Sequence, residues 1–274
     1  MIRLSDQELA DISNYIKENY GVNLTEKSTL IEGRLGCYIR GKGFETYGDY
    51  FEYAKNDHTG EEMSNLLNRL TTNHTYFMRE NDHFEYMIEE VMPWIETLPD
   101  SSDLRVWSAG CSSGEEPYGL SIYLLEYAVK RISNKGRLDT TILASDISEK
   151  ALITAQEGIY SSENLSALPP EWLRKYFIDL GGDSYQVTPE LRKNVAYKKT
   201  NLLESITARK PFHTIFCRNV MIYFETETRQ ALINKFYDVI EPGGYLFIGH
   251  SESLTNFGHG FKYIQPSVYR KPPE

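Results

Sequence analysis

A loop of small residues ends in two adjacent glutamates, in the stretch VWSAGCSSGEEPYGL that spans Val106 to Leu120. A strand-like run leads into Gly110, and an amphipathic helix begins at Glu115 and Glu116. Small side chains let backbone amides come close to a ligand, and a helix N-terminus carries a partial positive charge. No lysine follows, so the stretch matches neither the G-x-G-x-x-G turn nor the Walker phosphate loop. Two carboxylates would repel a pyrophosphate but suit a cationic amine or sulfonium, unless they serve only the helix N-terminus.

A third carboxylate, Asp146, ends the next strand-like run, ILASDIS, roughly 30 residues further along the chain. An acidic residue in this place suits a bidentate grip on the two hydroxyls of a ribose. Taken alone, an aspartate just before a helix is more often a helix cap. Combined with the loop, Asp146 favours an adenosine ligand that carries a positive charge and no pyrophosphate, and S-adenosylmethionine fits this description.

These residues lie in a region of alternating strands and helices. After residue 101, the strand-like runs LRVWSA, TTILASDI, FHTIFCRN and GGYLFIGH alternate with helical patterns, one of which has Ser148 as its predicted N-cap. This alternation predicts a doubly wound, mostly parallel sheet with helices on both faces. In such a sheet, ligands bind at the carboxyl ends of the strands. At about 175–199, polar and apolar residues alternate around Gly181–Gly182, which predicts a small antiparallel sheet inserted into the α/β domain.

The first 80 residues are predicted to form a separate domain of about four helices. Ser5 and Glu8 have the spacing of a capping box, and Gly21 is the predicted end of that first helix. A second helix is expected from Lys27 to Arg40. A linker helix is expected within residues 81–100, so that the α/β domain takes up residues 101–274.

The charge distribution also separates these regions. Residues 1–100 hold 9 Lys/Arg and 19 Asp/Glu, whereas residues 101–274 hold 20 of each. With a net charge of −10 the chain is poorly suited to neutralise phosphates, so we expect no nucleic-acid partner. No apolar run reaches the ~20 residues of a membrane span. The start, MIRLSDQELADI, has no apolar signal-peptide core, so we expect a cytoplasmic protein without membrane insertion.

Three cysteines, Cys37, Cys111 and Cys217, are widely spaced. No CxxC pair or Cys/His cluster predicts a metal site, so we expect no metal and reduced, buried thiols. Cys111 and Cys217 end strands near the expected site, but no base accompanies them at a recognisable spacing. Packing is therefore favoured over a nucleophilic role.

Five motifs occur in order along the chain: RLTTNHTYFMRE (69–80), VWSAGCSSGEEPY (106–118), ILASDIS (142–148), TNLL (200–203) and FCRNVMIYF (216–224). In this combination the chain resembles the chemotaxis receptor methyltransferases, the CheR family, over nearly its whole length. The resemblance implies a Rossmann-like class I methyltransferase domain with a small antiparallel β-subdomain insertion and an all-helical N-terminal domain. It also implies S-adenosyl-L-methionine as cofactor, S-adenosyl-L-homocysteine as product, and glutamate side chains of chemoreceptor cytoplasmic helices as methyl acceptors, for chemotaxis adaptation.

The resemblance further implies which residues contact the cofactor. The family motif N-x-T-x-F-F-R is matched at Asn73, Thr75, Phe77 and Arg79, with Met78 in place of the second Phe. Either Glu115 or Glu116 would meet the methionine end of the cofactor, and the choice between them stays open. The other expected contacts are Gly110 in the loop, Asp146 at the ribose, Asn201 and Leu202 beside the adenine, and Arg218 and Asn219 after the fourth strand.

Arg79 and Tyr223 are the expected catalytic residues, because the resemblance implies that both lie beside the transferring methyl. They would position the acceptor carboxylate through hydrogen bonds. A glutamate acceptor has a reference pKa of ~4.3 and is ionised at neutral pH, so no general base is needed. Without the motifs, Arg79 could instead form a surface salt bridge, and Tyr223, one of 20 tyrosines, could belong to the core.

Two other functions stay open from the sequence. One is a non-catalytic signalling module that binds S-adenosylmethionine, and the other is a methyltransferase for another acceptor. Methyltransferases that modify amino groups of bases often carry an Asn-Pro-Pro-Tyr motif after the fourth strand, where this chain reads RNVMIYF. That difference and the acidic composition argue against a nucleic-acid substrate.

The expected partner is the cytoplasmic domain of a chemoreceptor, a methyl-accepting chemotaxis protein, and the enzyme is expected to be a monomer. Lys27, Arg34, Arg40 and Lys42 could lie along an acidic receptor helix. The inserted sheet is a second docking candidate, because in some family members it adds a receptor peptide as a strand. The short turn at Gly181–Gly182 favours the absence of such a tether. The sequence does not predict which receptor or which glutamates are modified.

Overall fold

The N-terminal region is helical in the computed structural model, which describes residues 2–70, 75–99, 101–130 and 138–273. The capping box predicted at Ser5 and Glu8 is present, and Gly21 ends the first helix in the left-handed conformation at φ +74°. Four helices make up this region: α1 (Asp6–Tyr20), α2 (Ser28–Gly41), α3 (Tyr47–Asn56) and α4 (Glu61–Leu70).

The helices of this region enclose their own apolar core. Glu62 of α4 is also buried there, and its charge is met by Lys42, with the Tyr38 and Tyr50 hydroxyls donating to the same carboxylate. A buried carboxylate is tolerated because it is paired and hydrogen-bonded. The largest contributions to the core come from Ile12, Ile16, Leu24, Ile31, Leu35, Ile39, Tyr47 and Tyr50.

The segment that links the helical region to the sheet is an interrupted helix. It consists of α5 (Asp82–Tyr86), a π-helical turn (Met87–Val91) and α6 (Met92–Ile95). Pro93 has no amide proton to donate, so the regular hydrogen-bond ladder cannot pass through it unchanged. Phe84, Met87 and Val91 are buried in the core of the α/β domain, so this segment packs with that domain.

A seven-stranded, mostly parallel sheet forms the centre of the α/β domain, as predicted. Its strands are β1 (Val106–Ala109), β2 (Ile142–Asp146), β6 (Val195–Lys199), β7 (Phe212–Cys217), β8 (Ile240–Ile248), β9 (Lys262–Gln265) and β10 (Val268–Arg270). Across the sheet the order is β6, β2, β1, β7, β8, β10, β9; the first five are parallel, and β10 runs antiparallel to both β8 and β9. The helices of this domain are α7 (Glu115–Lys130), α8 (Glu149–Glu157), α9 (Pro170–Tyr176), α10 (Pro189–Lys193) and α11 (Thr226–Val239), with a 3₁₀ turn at Met221–Tyr223.

The predicted antiparallel insertion exists but has different limits from the expected 175–199. A three-stranded sheet contains β3 (Ile159–Tyr160), β4 (Phe177–Gly181) and β5 (Ser184–Val187), and the turn at Gly182–Asp183 joins β4 to β5. Val195–Lys199 does not belong to it, because these residues form β6 and pair in parallel with β2 of the main sheet. Strand alternation alone does not say which sheet a strand joins.

The helical region docks against the α/β domain through α1 and the residues that follow it. Val22 and Phe224 form an antiparallel bridge, and the Asn23 amide donates to the Tyr223 carbonyl at 2.9 Å. Lys17 forms a 2.8 Å ion pair with Glu225. None of the described helices is both long and apolar enough to cross a membrane.

Candidate active site

One cavity lies between the helical region and the carboxyl ends of β1, β2, β6 and β7. It contains about 1140 Å³ of empty space, part of which opens to solvent. The sheet contributes the loops after these four strands, and the helical region contributes Tyr20, Val22, Leu67 and Asn68. The position agrees with the rule that doubly wound sheets bind ligands at the carboxyl ends of their strands.

The loop after β1 is held open by backbone contacts with β2. The amides of Gly110 and Cys111 both donate to the Ser145 carbonyl, at 2.8 and 2.9 Å. Gly110 has φ +84°, and a Cβ there would lie 2.4 Å from Cγ2 of Val220. A glycine is therefore required at this position in this chain. Gly110, Cys111 and Ser112 all line the cavity, as the small residues of the loop suggested.

Asp146 lies at the end of β2 and lines the cavity. Its Oδ2 accepts the Ser112 amide at 2.8 Å and its Oδ1 accepts the Ser148 amide at 2.9 Å. Ser148, as predicted, is the N-cap of α8, so Asp146 is not the cap of this helix. Burial raises the pKa of the Asp146 carboxyl, with the amide hydrogen bonds opposing that shift. Each oxygen keeps room to accept a further hydrogen bond from a ligand hydroxyl.

The two glutamates at the start of α7 have different surroundings. Glu116 lines the cavity, where its carboxylate accepts the Ser108 hydroxyl at 2.6 Å and Arg218 Nε at 2.8 Å. Glu115 is 2 % exposed, does not line the cavity and accepts the Ser113 hydroxyl at 2.7 Å. Burial raises the pKa of the Glu115 carboxyl. The structure therefore brings Glu116 to the site and directs Glu115 away from it.

Arg218 joins the inter-domain segment to the sheet. Its guanidinium donates to the carbonyl of Arg79 at 2.7 Å and to that of Glu80 at 3.2 Å, in addition to the Glu116 ion pair. It also lies over the ring of Phe84, 5.0 Å from the centroid. A guanidinium distributes several donors in fixed directions, which suits a buried residue with this many acceptors.

The residues expected beside the methyl group line the same cavity. Arg79, Asn219 and Tyr223 are part of its wall, and so is Thr75, which was expected to contact the cofactor. Arg79 lies between two non-glycine residues with positive φ, Met78 at 62° and Glu80 at 51°, and such backbone strain is frequent at functional sites. Asn219 also has a positive φ of 59°. Asn73, the remaining residue of that motif, lies outside the described residues.

Asn201 and Leu202 also line the cavity. The Asn201 side chain donates to the Asn19 carbonyl at 2.9 Å, which connects this part of the cavity wall to α1. Lys235 of α11 donates to the carbonyls of Leu202 at 3.2 Å and Glu204 at 2.9 Å. These bonds stabilise the turn formed by residues 201–204.

Some site residues were not predicted from the sequence. Tyr20, Val22, Leu67 and Asn68 come from the helical region, and no local pattern signals that they face a cavity in another domain. Tyr76 also lines the cavity and is 42 % exposed, although it occupies an unspecified position of the motif.

The cysteines follow the packing interpretation at two of three positions. Cys111 and Cys217 are buried, and burial raises the pKa of both thiols. Such thiols are poor nucleophiles at neutral pH. Cys37 is exposed, so the expectation of a buried thiol was wrong there.

One group of possible metal ligands occurs among the described residues: Glu80, His83 and His250. The Arg218 guanidinium lies 3.3 Å from Nδ1 of His83 and 3.9 Å from Oε2 of Glu80, so a positive charge already occupies this place. Burial, and secondly Arg218, lower the pKa of His83 to about 4.

The sheet order, the loop after β1 and the acidic residue ending β2 define a Rossmann-like class I methyltransferase domain. Residues 73–270 match the family described as "CheR methyltransferase, SAM binding domain", and residues 7–71 match "CheR methyltransferase, all-alpha domain". The chain therefore belongs to the CheR methyltransferase family, as its motifs suggested.

Three relatives span nearly the whole chain. A chemotaxis protein methyltransferase of Borreliella burgdorferi is 38 % identical, over 98 % of this chain and 96 % of its own length. Chemotaxis protein methyltransferase 2 of Vibrio cholerae is 34 % identical, over 99 % and 95 %. The chemotaxis protein methyltransferase of Escherichia coli is 35 % identical, over 98 % and 92 %.

Proposed function

We propose that this protein transfers the methyl group of S-adenosylmethionine to glutamate side chains on the cytoplasmic helices of a chemoreceptor. The products are glutamyl methyl esters and S-adenosylhomocysteine. The observation that carries this proposal is the single cavity shared by Asp146, Glu116, Arg79 and Tyr223. Membership in the CheR family and the names of the chemotaxis relatives support the same activity.

The lining of the cavity fits S-adenosylmethionine. Asp146 would hold the ribose, because both carboxylate oxygens lie at the cavity and retain accepting capacity. Leu202 and Ile147 offer apolar contact for an adenine ring. Glu116 would meet the ammonium group of the methionine end, since Glu115 is directed away from the cavity. Arg218 holds the Glu116 carboxylate in one orientation before the ligand arrives.

When bound, S-adenosylmethionine supplies the methyl group. The acceptor carboxylate is ionised at neutral pH, so the protein does not need to remove a proton. This agrees with the cavity wall, in which none of the described residues is a histidine or a lysine. The work of the protein is therefore orientation of the acceptor.

Arg79 and Tyr223 would provide that orientation. The Arg79 guanidinium can form charge-assisted hydrogen bonds with the acceptor carboxylate, and the Tyr223 hydroxyl can donate one more. Tyr20, Val22 and Leu67 of the helical region line the site, and their side chains would reduce its contact with water. A less hydrated site favours a reaction in which a carboxylate and a sulfonium lose their opposite charges.

The effect on the receptor follows from the charge. Each ester removes one negative charge from a receptor helix and so weakens repulsion between acidic helices. For docking, α2 offers Lys27 and Arg40, which are exposed. Arg34 donates to the carbonyls of Arg69 and Leu70, and Lys42 pairs with Glu62. Arg34 and Lys42 therefore already bind groups within the protein and are less available to a receptor helix.

The test uses tritium-labelled S-adenosylmethionine and a chemoreceptor cytoplasmic fragment, followed by mild base. We expect label on the receptor that base releases as volatile methanol, and no label on a fragment whose candidate glutamates are changed to glutamine. Base-stable label would mean a nitrogen or carbon acceptor and would overturn the assigned substrate. Cofactor binding by calorimetry without transfer to any receptor fragment would favour the non-catalytic signalling module.

A further inference from the structure

Glu252 stands outside the five motifs, in the loop that follows β8, and does not line the cavity. Glu252 is half-buried, and burial raises the pKa of its carboxyl. Among the described residues, no lysine or arginine forms an ion pair with that carboxylate. A carboxylate in such a place needs other hydrogen-bond donors to offset its lost hydration.

Those donors are backbone amides of two loops. Oε2 of Glu252 accepts the Gly249 amide at 2.6 Å and the Asn219 amide at 2.9 Å, and Oε1 accepts the Ile222 amide at 3.1 Å. A charged acceptor makes each of these bonds stronger than a bond to a neutral oxygen.

Two of these amides, those of Asn219 and Ile222, belong to the segment that carries Tyr223, whereas Gly249 lies in the same loop as Glu252. The 3₁₀ turn Met221–Tyr223 begins after Val220, which provides no side-chain cap. Glu252, in the loop after β8, instead accepts the Ile222 amide of this turn. Asn219 lies in the left-handed region at φ 59°, a conformation that surrounding contacts must maintain.

The second loop approaches this turn unusually closely. A Cβ at Gly249 would lie 2.4 Å from Nδ2 and 2.8 Å from the amide nitrogen of Asn219. Only a glycine allows the loop after β8 to come close enough for Glu252 to reach both amides. On the other side, the Tyr223 carbonyl accepts the Asn23 amide at 2.9 Å, so the turn is fixed from two directions.

We infer that Glu252 is a positioning residue for methyl transfer: its carboxylate holds the 219–223 turn so that Tyr223 faces the acceptor. This inference rests on the proposed function. Glu252 does not itself line the cavity, whereas Tyr223 and Asn219 of the turn do, so its loss should reduce turnover by a larger factor than it reduces the affinity for S-adenosylmethionine.

The test variant is Glu252→Gln, which keeps the shape but replaces one acceptor oxygen by a donor that faces backbone amides. The matched control is Glu241→Gln on the same strand–loop segment, where Glu241 pairs with Arg105 at 3.2 Å at the other end of β8. For all three proteins we would measure amide hydrogen exchange of residues 217–224, kcat and KM for S-adenosylmethionine, and thermal stability.

We expect Glu252→Gln to exchange the amides of 217–224 at least ten-fold faster and to lower kcat at least ten-fold, with a smaller rise in KM for S-adenosylmethionine. Glu241→Gln should leave exchange and kcat unchanged. An unchanged kcat in Glu252→Gln, or a raised KM with unchanged kcat, would overturn the inference.

If Glu252→Gln does not fold, Glu252→Asp is tested in its place. Aspartate keeps the charge but shortens the side chain by one methylene. The same loss of turnover, again larger than any rise in KM, is expected there, and an unchanged kcat overturns the inference. Failure of the proposed function would instead appear in the wild-type protein, as label that is base-stable or absent.

Discussion

At the scale of single residues, two arginines near the cavity have different surroundings and so different expected roles. Arg218 is 7 % exposed and binds Glu116, Arg79 and Glu80 within the protein. Arg79 is less buried and lies at the cavity wall. Substitution of Arg218 should therefore mainly reduce stability, and substitution of Arg79 should mainly reduce activity.

Arg79→Ala is expected to reduce methyl transfer at least 100-fold and to change the thermal midpoint little, because the bond from Arg218 uses the Arg79 backbone carbonyl and survives. The measurement is an initial-rate assay beside a thermal melt. Arg209→Ala, at an exposed position away from the cavity, is the control. Equal losses of activity and stability would contradict a role for Arg79 in the reaction.

Arg218→Met is expected to lower the free energy of unfolding by about 3 kcal/mol, the low end for a buried ion pair, because the partly buried Glu116 carboxylate loses its cation. Adding Glu116→Gln should recover part of this loss, since the unpaired charge is then removed. Urea unfolding of both variants checks this. A double variant no more stable than Arg218→Met would show that the ion pair is not the cause.

His83 predicts a pH dependence of stability. Its pKa is about 4 in the folded protein, against a reference value of 6.5. Between these values the unfolded chain binds a proton that the folded protein does not, so stability is full above pH 6.5 and falls by up to about 3 kcal/mol as the pH drops to 4. His83→Asn should flatten this part of the curve in urea unfolding at several pH values. His58→Asn, at an exposed position, should keep the wild-type slope.

At the scale of elements, the end of α1 decides how the helical region meets the α/β domain. Gly21 has φ +74°, and a Cβ there would lie 3.0 Å from side-chain atoms of both Leu203 and Phe224. Gly43 also has a positive φ of 88°, but nothing lies within 4 Å of its Cβ position. Substitutions at the two glycines therefore distinguish two costs. Backbone strain is present at both positions, whereas contact with the α/β domain is present only at Gly21.

Gly43→Ala is expected to cost about 1 kcal/mol from backbone strain alone. Gly21→Ala should cost at least about 1 kcal/mol more, because the added methyl group presses on the α/β domain. It should also weaken binding of S-adenosylhomocysteine, since Phe224 lines the cavity. Chemical unfolding and calorimetry test this pair. Equal costs with unchanged binding would mean that α1 does not control the interface.

At the scale of the whole molecule, the cavity is shared, because both the helical region and the sheet contribute to its wall. A ligand there should stabilise the two regions together. At a hundred-fold excess over its Kd, S-adenosylhomocysteine should add about 2.7 kcal/mol to the free energy of unfolding.

Scanning calorimetry should accordingly show the transitions of both regions moving to higher temperature with ligand. Asp146→Asn is the matched control, because it keeps the side-chain shape and removes the charge proposed to hold the ribose. Its shift should be smaller at the same ligand concentration. A shift confined to one of two separate transitions would contradict a site shared between the regions.

Much of the local structure was predictable from short-range patterns. The capping box at Ser5 and Glu8, the helix end at Gly21 and the N-cap Ser148 each depend on residues within one helical turn. The parallel strands followed from apolar runs that alternate with helices. The membership of Val195–Lys199 in the main sheet was missed, because strand partners are distant in sequence.

The sequence by itself determined the fold class, the family and the set of small and charged residues at the strand ends, because these depend on local spacing and residue type. Only the tertiary structure decided that Glu116 rather than Glu115 reaches the cavity, since both occupy the first turn of α7 and differ only in direction. It also decided that Tyr20 and Val22 line the site and that Glu252 caps the Tyr223 turn. These contacts join residues far apart in the chain, and packing of complete elements, which no short stretch encodes, brings them together.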